Sequence, residues 1–163
     1  MTAGDTVLRL PSDVEIVVMR QFRAPVALVF ATWTQPEHLR RWFGRDGWSL
    51  PVCEIDLRPG GAWRYVHLGP DGMELGLSGE YLEVDPPHRL VSTERFDEPY
   101  FEAMGGGTVN TITFDEDDGG ITTMTLRVLY ASKEARDGAL QTGMEEGMAE
   151  GFRRLDAHLA GLA

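Results

Sequence analysis

Side chains that could carry out catalysis or hold a metal ion are few in this sequence and widely separated. The four histidines stand apart from one another: His38, His67, His88 and His158. They form no HxxxH or HExxH pattern, and Cys53 is the single cysteine, so the spacing typical of metal ligands is missing. Ser78 lies in GLSG, which is not the G-x-S-x-G context of a nucleophilic serine. We therefore predict no metal site and no cofactor, and we assign no catalytic residue.

His67 is the first of two titratable candidates for binding a small molecule. In a strand, alternate side chains share a face, so His67 groups with Trp63 and Tyr65 while Arg64 points to the opposite face. The charged arginine is expected on the solvent side, which turns His67 inward. An inward histidine could orient the polar end of a ligand or move a proton. The alternative is a wall histidine with only a structural hydrogen bond.

Glu94 is the second candidate. By strand parity it shares a face with Phe96, so its carboxyl group is expected to point inward. A carboxylate in an apolar interior is costly unless a hydrogen-bond donor or a ligand meets it. Glu94 could therefore orient a ligand or, with His67, serve an enzyme as a proton-transfer group.

The segments that must position these residues are mostly strands. A β-branched, alternating segment at 13–22 predicts the first strand, and Pro25 and Gly44 bound two short helices. Turn motifs such as PGG, PDG and DGG then divide the middle of the chain at short intervals, which is typical of an antiparallel meander. The strands predicted between these turns lie near 52–58, 61–68, 73–84, 89–97, 108–115 and 120–131. Parity in the last strand turns Met124 inward.

The C-terminal segment 132–162 predicts one long amphipathic helix. Its apolar residues fall on one face: Leu140, Met144, Met148, Phe152, Leu155, Leu159 and Leu162. Gly143, Gly147 and Gly151 flank this face at one-turn intervals, although each interior glycine costs a helix about 1 kcal/mol relative to alanine. Without side chains, this edge of the helix lets another backbone come close or leaves room for something that is not protein, and we favour a ligand cavity between the helix and the sheet.

Composition restricts the possible partners. The chain has 163 residues, 42% of them hydrophobic, which suits one domain, predicted at 12–163 after a flexible tail at 1–11. A formal net charge of −11 without basic clusters argues against binding nucleic acid or an anionic membrane. No secretion signal or membrane span is recognised, and a lone cysteine fits a reducing compartment, so we expect a cytoplasmic protein.

Several motifs together resemble a known superfamily. They lie at 41–44 (RWFG), 56–64 (DLRPGGAWR), 69–72, 79–87, 89–91, 93–97, 136–137 and 143–148. Over residues 14–160 the chain resembles the START-like, helix-grip (SRPBCC) superfamily, within the group named after the activator of heat-shock-protein-90 ATPase. The resemblance implies an α+β fold in which a curved seven-stranded antiparallel sheet grips the C-terminal helix around a mostly apolar cavity. It carries over no shared catalytic signature.

We therefore expect a protein, monomer or homodimer, that binds a small apolar or amphipathic molecule in this cavity. The expected wall residues are Trp63, Tyr65, His67, Tyr81, Glu94, Phe96, Met124, Met144, Met148 and Phe152. Two alternatives stay open. One is an enzyme of the cyclase or hydratase type in which His67 and Tyr65 or Glu94 move a proton. The other is a chaperone-associated module that binds a protein, which only the name of the group implies.

Overall fold

The computed structural model describes residues 4–162. Along the chain the elements are β1 (Thr6–Arg9), β2 (Glu15–Phe22), α1 (Val26–Thr34), α2 (Pro36–Trp42), β3 (Ser49–Ile55), β4 (Ala62–Leu68), β5 (Glu74–Asp85), β6 (Arg89–Phe96), α3 (Tyr100–Ala103), β7 (Thr108–Glu116), β8 (Thr122–Leu129), α4 (Lys133–Leu140) and α5 (Met144–Leu162). The class is α+β, as expected. Within this described part, no helix combines the length and the apolar composition that a bilayer crossing requires.

All eight strands join one open antiparallel sheet in the order β1-β2-β8-β7-β6-β5-β4-β3. The sequence predicts seven strands, and the additional one is β1. Its residues Thr6 to Arg9 pair with Arg20 to Val17 of β2, although this segment was expected to belong to a flexible tail. The prediction of the tail is therefore wrong for residues 6–9, where a short TVLR segment adds an edge strand.

Strands β5 and β6 approach each other unusually closely at Gly79. A Cβ atom on Gly79 would lie 1.8 Å from the carbonyl oxygen of Thr93 and 2.6 Å from Nε1 of Trp63. Only glycine permits so close an approach of the neighbouring strand and of the indole that covers it. The pairing of β5 with β6 then shifts register between Tyr81 and Glu83. These irregularities accompany a concave inner face.

The C-terminal segment is two helices rather than the single helix predicted. Ser132 caps α4 by accepting a hydrogen bond from the Ala135 amide at 3.1 Å. The helix ends at Leu140, and the Thr142 hydroxyl donates to the carbonyl of Ala139 at 2.7 Å, which satisfies that carbonyl locally. Gly143 then adopts φ +77°, a left-handed conformation that no helix continues through. The chain turns at this residue, and α5 begins at Met144.

Only the second half of α5 is packed tightly against the sheet. Phe152, Leu155 and Leu159 are buried in the core, whereas Met144 and Met148 in the first half are only partly buried. Ring contacts hold Phe152: its centroid lies 5.7 Å from Phe22, 6.2 Å from Trp33 and 6.3 Å from Trp42. Side chains therefore fill the space under the second half of α5, and the space under its first half is not filled.

An ion pair fixes the same half of α5 to the sheet. Arg20 on β2 is 2% exposed and donates from Nη1 and Nη2 to the two carboxylate oxygens of Asp156, at 3.0 and 2.6 Å. Its guanidinium also lies 5.0 Å from the ring centroid of Phe22. A bidentate arginine–carboxylate pair sets orientation as well as distance, so it holds α5 in one position over β2.

The glycines of α5 let another part of the protein come close, which was the alternative to the favoured ligand cavity. A Cβ atom on Gly147 would lie 3.1 Å from Nε and 3.3 Å from Cγ of Arg45, and one on Gly151 would lie 3.4 Å from the carbonyl oxygens of Gly44 and Trp42. The segment that follows α2 therefore crosses this edge of the helix. Gly147 and Gly151 also lie beside the cavity described below, but their lack of side chains accommodates protein.

Two alanine substitutions should distinguish a glycine required for its backbone conformation from a glycine required for lack of a side chain. Gly143→Ala should lower the free energy of unfolding by about 1–2 kcal/mol, because φ +77° is unfavourable for any residue with a Cβ atom. Gly147→Ala should be neutral or stabilise by up to about 1 kcal/mol, since helix propensity improves and the exposed Arg45 side chain can move away. Urea denaturation measures both. An equal loss in the two variants would mean that Arg45 is held rigidly and would contradict this account.

Candidate functional site

A cavity of about 620 Å³ lies between the concave face of the sheet and the first half of α5. Side chains from α1, α2, strands β4 to β8 and α5 form its walls, and most of them are apolar or aromatic. The apolar wall includes Leu77 on β5, Leu90 on β6, Ile112 on β7 and Leu126 on β8. These residues point inward because the alternation of each strand places them on the concave face. The result is a largely apolar surface with a few polar groups.

Nine of the ten predicted wall residues line this cavity: Trp63, Tyr65, His67, Tyr81, Glu94, Phe96, Met144, Met148 and Phe152. Met124 does not. It points inward, as its parity predicts, but it is 0% exposed and pairs opposite Arg20 and Phe114 beneath the filled half of α5. Met124 is therefore a core residue, and its assignment to the cavity wall is wrong.

A polar cluster on β6 and β7 interrupts the apolar wall. Nδ2 of Asn110 donates to Oε2 of Glu94 at 3.2 Å, and the Thr108 hydroxyl donates to Oδ1 of the same asparagine at 3.1 Å. Pairing in the sheet brings these side chains together, because Glu94 lies opposite Thr108. Burial raises the pKa of Glu94 to about 7, and the hydrogen bond from Asn110 opposes that rise. The carboxyl group therefore changes charge near neutral pH.

Three tyrosines add hydroxyl groups to the cavity wall. Burial raises the pKa of Tyr65 well above its usual value and also raises that of Tyr81, whose hydroxyl lies beside it. Burial, assisted by the charge of Glu94, raises the pKa of Tyr130 to about 12. All three phenols consequently stay protonated at neutral pH and can donate hydrogen bonds to a ligand.

His67 faces inward as predicted but lies away from Glu94. It is 8% exposed, its ring centroid is 5.4 Å from that of Phe43, and burial lowers the pKa of His67, so its ring is neutral at pH 7. Trp63 pairs with Gly79, which touches β6 next to Glu94. His67 is four residues further along β4, about 13 Å at the usual rise per residue. The two candidates thus occupy different parts of the wall.

Two buried indole groups at the cavity lack hydrogen-bond partners. Nε1 of Trp33 and Nε1 of Trp63 are buried without an acceptor, whereas Nε1 of Trp42 donates to the carbonyl of Thr32 at 2.9 Å. All three tryptophans line the cavity. A buried donor without an acceptor costs about 1–3 kcal/mol, so unpaired donors are uncommon in folded proteins.

Sequence reasoning did not identify Trp33, Asn110 and Tyr130 as wall residues. Asn110 shares a strand face with Ile112, so parity alone could have placed it on the inner face. Trp33 lies on the apolar face of α1 and could have been a cavity or a core residue with equal justification. Tyr130 has the same parity as Met124 in the strand predicted at 120–131, so the same rule could have placed it on the inner face.

The site offers no metal centre within residues 4–162. No group of three or more His, Cys, Asp or Glu side chains in that part of the chain is arranged to hold an ion. His38 and His158 do approach each other, with Nδ1 and Nε2 2.9 Å apart. Their ring centroids are 5.1 Å apart. The two nitrogens are therefore within hydrogen-bond distance of each other.

An antiparallel sheet bent around a C-terminal helix, with an apolar cavity between them, defines a START-like, helix-grip protein. Residues 23–160 match the family model described as activator of Hsp90 ATPase homolog 1-like protein, and the chain belongs to this family. This membership confirms the resemblance drawn from the sequence motifs.

Solved structures from several bacteria are similar to this chain over nearly its whole length. A Rhodobacter sphaeroides protein is 33% identical with a TM-score of 0.89, covering 96% of this chain and 99% of that one. A Mycobacterium smegmatis protein is 31% identical with a TM-score of 0.82, covering 95% of each chain. A Nitrosomonas europaea protein is 27% identical with a TM-score of 0.81, covering 93% of this chain and 97% of that one. No curated protein matches this chain.

Replacement of Glu94 by glutamine should change the pH dependence of stability. Because burial raises the pKa of Glu94 from 4.5 to about 7, the folded protein keeps a proton that the unfolded chain loses between these values. Wild-type stability therefore falls as pH rises through that window. The amide of the Glu94→Gln variant cannot ionise, and its oxygen still accepts the hydrogen bond from Asn110. The gain in unfolding free energy of this variant should thus grow from near zero at about pH 4 to as much as about 3 kcal/mol at about pH 8.

Urea denaturation of both proteins across this pH range measures the difference. A difference that stays constant with pH would show that the pKa of Glu94 is the same in the folded and unfolded protein.

Proposed function

We propose that this protein binds a small apolar or amphipathic molecule in the cavity between the sheet and α5. The observation that carries the proposal is the cavity of about 620 Å³ with its predominantly apolar wall. Pockets for small molecules usually have volumes of roughly 300–1,000 Å³ and combine an apolar lining with a few polar groups. Both properties apply here, with Glu94, Asn110 and the tyrosine hydroxyls as the polar groups.

The side chains of the wall support binding of a ligand in this space. Met144 and Met148 lie above the cavity on α5 and keep part of their surface accessible. Methionine side chains are flexible and polarizable, so they adapt to ligands of different shapes.

An enzymatic role is the second candidate, and Glu94 is the observation that favours it. A carboxyl group with a pKa of about 7 is suited to proton transfer at neutral pH. A cyclase or hydratase would also need a second positioned group, and His67 is about 13 Å further along the sheet. Tyr65 is then the nearer partner for Glu94, because its pKa responds to the charge of that residue.

The cellular setting is part of the same proposal. A net charge of −11 and a single cysteine support a cytoplasmic protein that acts without nucleic acid or membrane partners, as monomer or homodimer. A chaperone-associated role is suggested by the description of the family model alone. Nothing about the cavity depends on such a role.

A bulky residue on the inner face of α5 should abolish ligand binding. Met148→Trp replaces a flexible thioether side chain at the cavity with a bulky indole ring. Glu146→Trp adds the same ring on the exposed face of the same helix. Binding of the neutral dye Nile red, followed by fluorescence titration, should weaken about tenfold or more in Met148→Trp and stay unchanged in Glu146→Trp. Because the cavity has room, Met148→Trp should be destabilised by less than the roughly 1–3 kcal/mol expected when a filled core is overpacked.

Equal dye binding by the two variants would place the dye outside the cavity and contradict the proposal. Turnover of a polyketide-like substrate that depends on a group with a pKa near 7, and that is lost in Glu94→Gln, would instead favour the enzyme.

A further inference from the structure

The polar cluster at Glu94 leaves one carboxylate oxygen without a donor from the described residues. Oε2 of Glu94 receives the hydrogen bond from Nδ2 of Asn110, and no described residue donates to Oε1. The Thr108 hydroxyl donates to Oδ1 of Asn110, which fixes the amide so that its NH₂ group faces the carboxylate. One carboxylate oxygen is therefore held in place by protein and the other is free for a ligand.

No cationic side chain among residues 4–162 forms an ion pair with Glu94. Among the described residues that line the cavity, Glu94 is the one acidic side chain and Arg45 the one with a permanent positive charge. Arg45 lies over Gly147 and donates from Nη2 to the carbonyl of Thr142 at 2.7 Å. The pKa of Glu94 responds to burial and to Asn110, with no contribution from Arg45. An ionised Glu94 is thus an unpaired anion in an apolar wall.

The other titratable groups near the cluster cannot supply a positive charge. Tyr65 on β4 and Tyr130 after β8 both feel the charge of Glu94, and their phenols are neutral donors. Tyr81 is also a protonated phenol, and His67 is neutral and distant. A buried carboxylate is stabilised most by a cationic donor, because charge-assisted hydrogen bonds are roughly twice as strong as neutral ones. A ligand is the remaining source of that cation.

We propose that Glu94 and Asn110 form a subsite that selects amphipathic molecules with a protonated amine at their polar end and rejects those that end in a carboxylate. This inference rests on the proposed function, since it assigns the chemical class of the molecule in the same cavity. The ammonium group donates to Oε1 of Glu94, and the apolar body lies against the wall formed by residues such as Leu77, Leu90 and Ile112. A carboxylate in that position would face an anion without a counterion.

Three naphthyl compounds of matched size test the selection: naphthylethylamine, naphthylethanol and naphthylpropionate. At about pH 8 Glu94 is ionised, and calorimetry should give an affinity for the amine about tenfold higher than for the alcohol, with the carboxylate weakest. Glu94→Gln should lower the affinity for the amine about tenfold, raise that for the carboxylate and leave that for the alcohol nearly unchanged. Glu80→Gln on the exposed side of β5 is the matched control, because it removes the same charge away from the cavity.

The possible results distinguish the charge selection at Glu94 from ligand binding in the cavity. Similar affinities for amine and carboxylate, or an equal loss of amine binding in Glu80→Gln, would overturn the charge selection while leaving cavity binding intact, since the alcohol would still bind. Absence of binding by all three compounds would overturn both the selection and the proposed function. The ranking in the wild-type protein needs no variant, so the test stands even if Glu94→Gln fails to fold.

Discussion

The packing of Phe152 against the sheet and the two short helices is the interaction on which the rest of the structure depends. Its ring meets Phe22, Trp33 and Trp42 at centroid distances of 5.7 to 6.3 Å and is 1% exposed. Burial of a phenylalanine contributes about 1.5–3 kcal/mol, and the ring contacts add to this. The ion pair of Arg20 with Asp156 fixes the next turn of the helix. The second half of α5 is therefore anchored, and its first half extends over a concave surface that it does not fill.

The cavity follows from this unequal packing. Gly79 allows β5 and β6 to approach closely beneath the Trp63 ring, and the left-handed turn at Gly143 sets where α5 starts. The space between the sheet and the first half of α5, about 620 Å³, is large enough for a small molecule. Polar side chains occur in the wall where a neighbouring strand supplies a hydrogen-bond partner, as Asn110 does for one carboxylate oxygen of Glu94. The fold therefore creates an apolar chamber with one acidic position whose second oxygen is open.

Much of the fold and part of the site could be predicted because strand parity is local. Parity places Trp63 and His67 on the inner face, and the structure agrees. Parity does not say which part of the inner face lies under the filled half of a helix, so Met124 was assigned to the cavity although it belongs to the core. The role of Gly147 depends on Arg45, about a hundred residues earlier in the chain, and such a contact leaves no local pattern. The pairing of Glu94 with Asn110 likewise depends on the register of two strands.

The central claim, that a small molecule occupies the cavity under α5, is tested most directly by the indole N–H resonances of the tryptophans. In a titration with naphthylethanol followed by nuclear magnetic resonance, Trp33 and Trp63 should show the largest shifts, because their rings line the cavity and their N–H groups have no acceptor that fixes them. Trp42, whose N–H already donates to Thr32, should shift far less, and the backbone amides of the edge strand β1 should not move. Saturable binding that leaves the Trp33 and Trp63 resonances unchanged would place the ligand elsewhere and contradict the account.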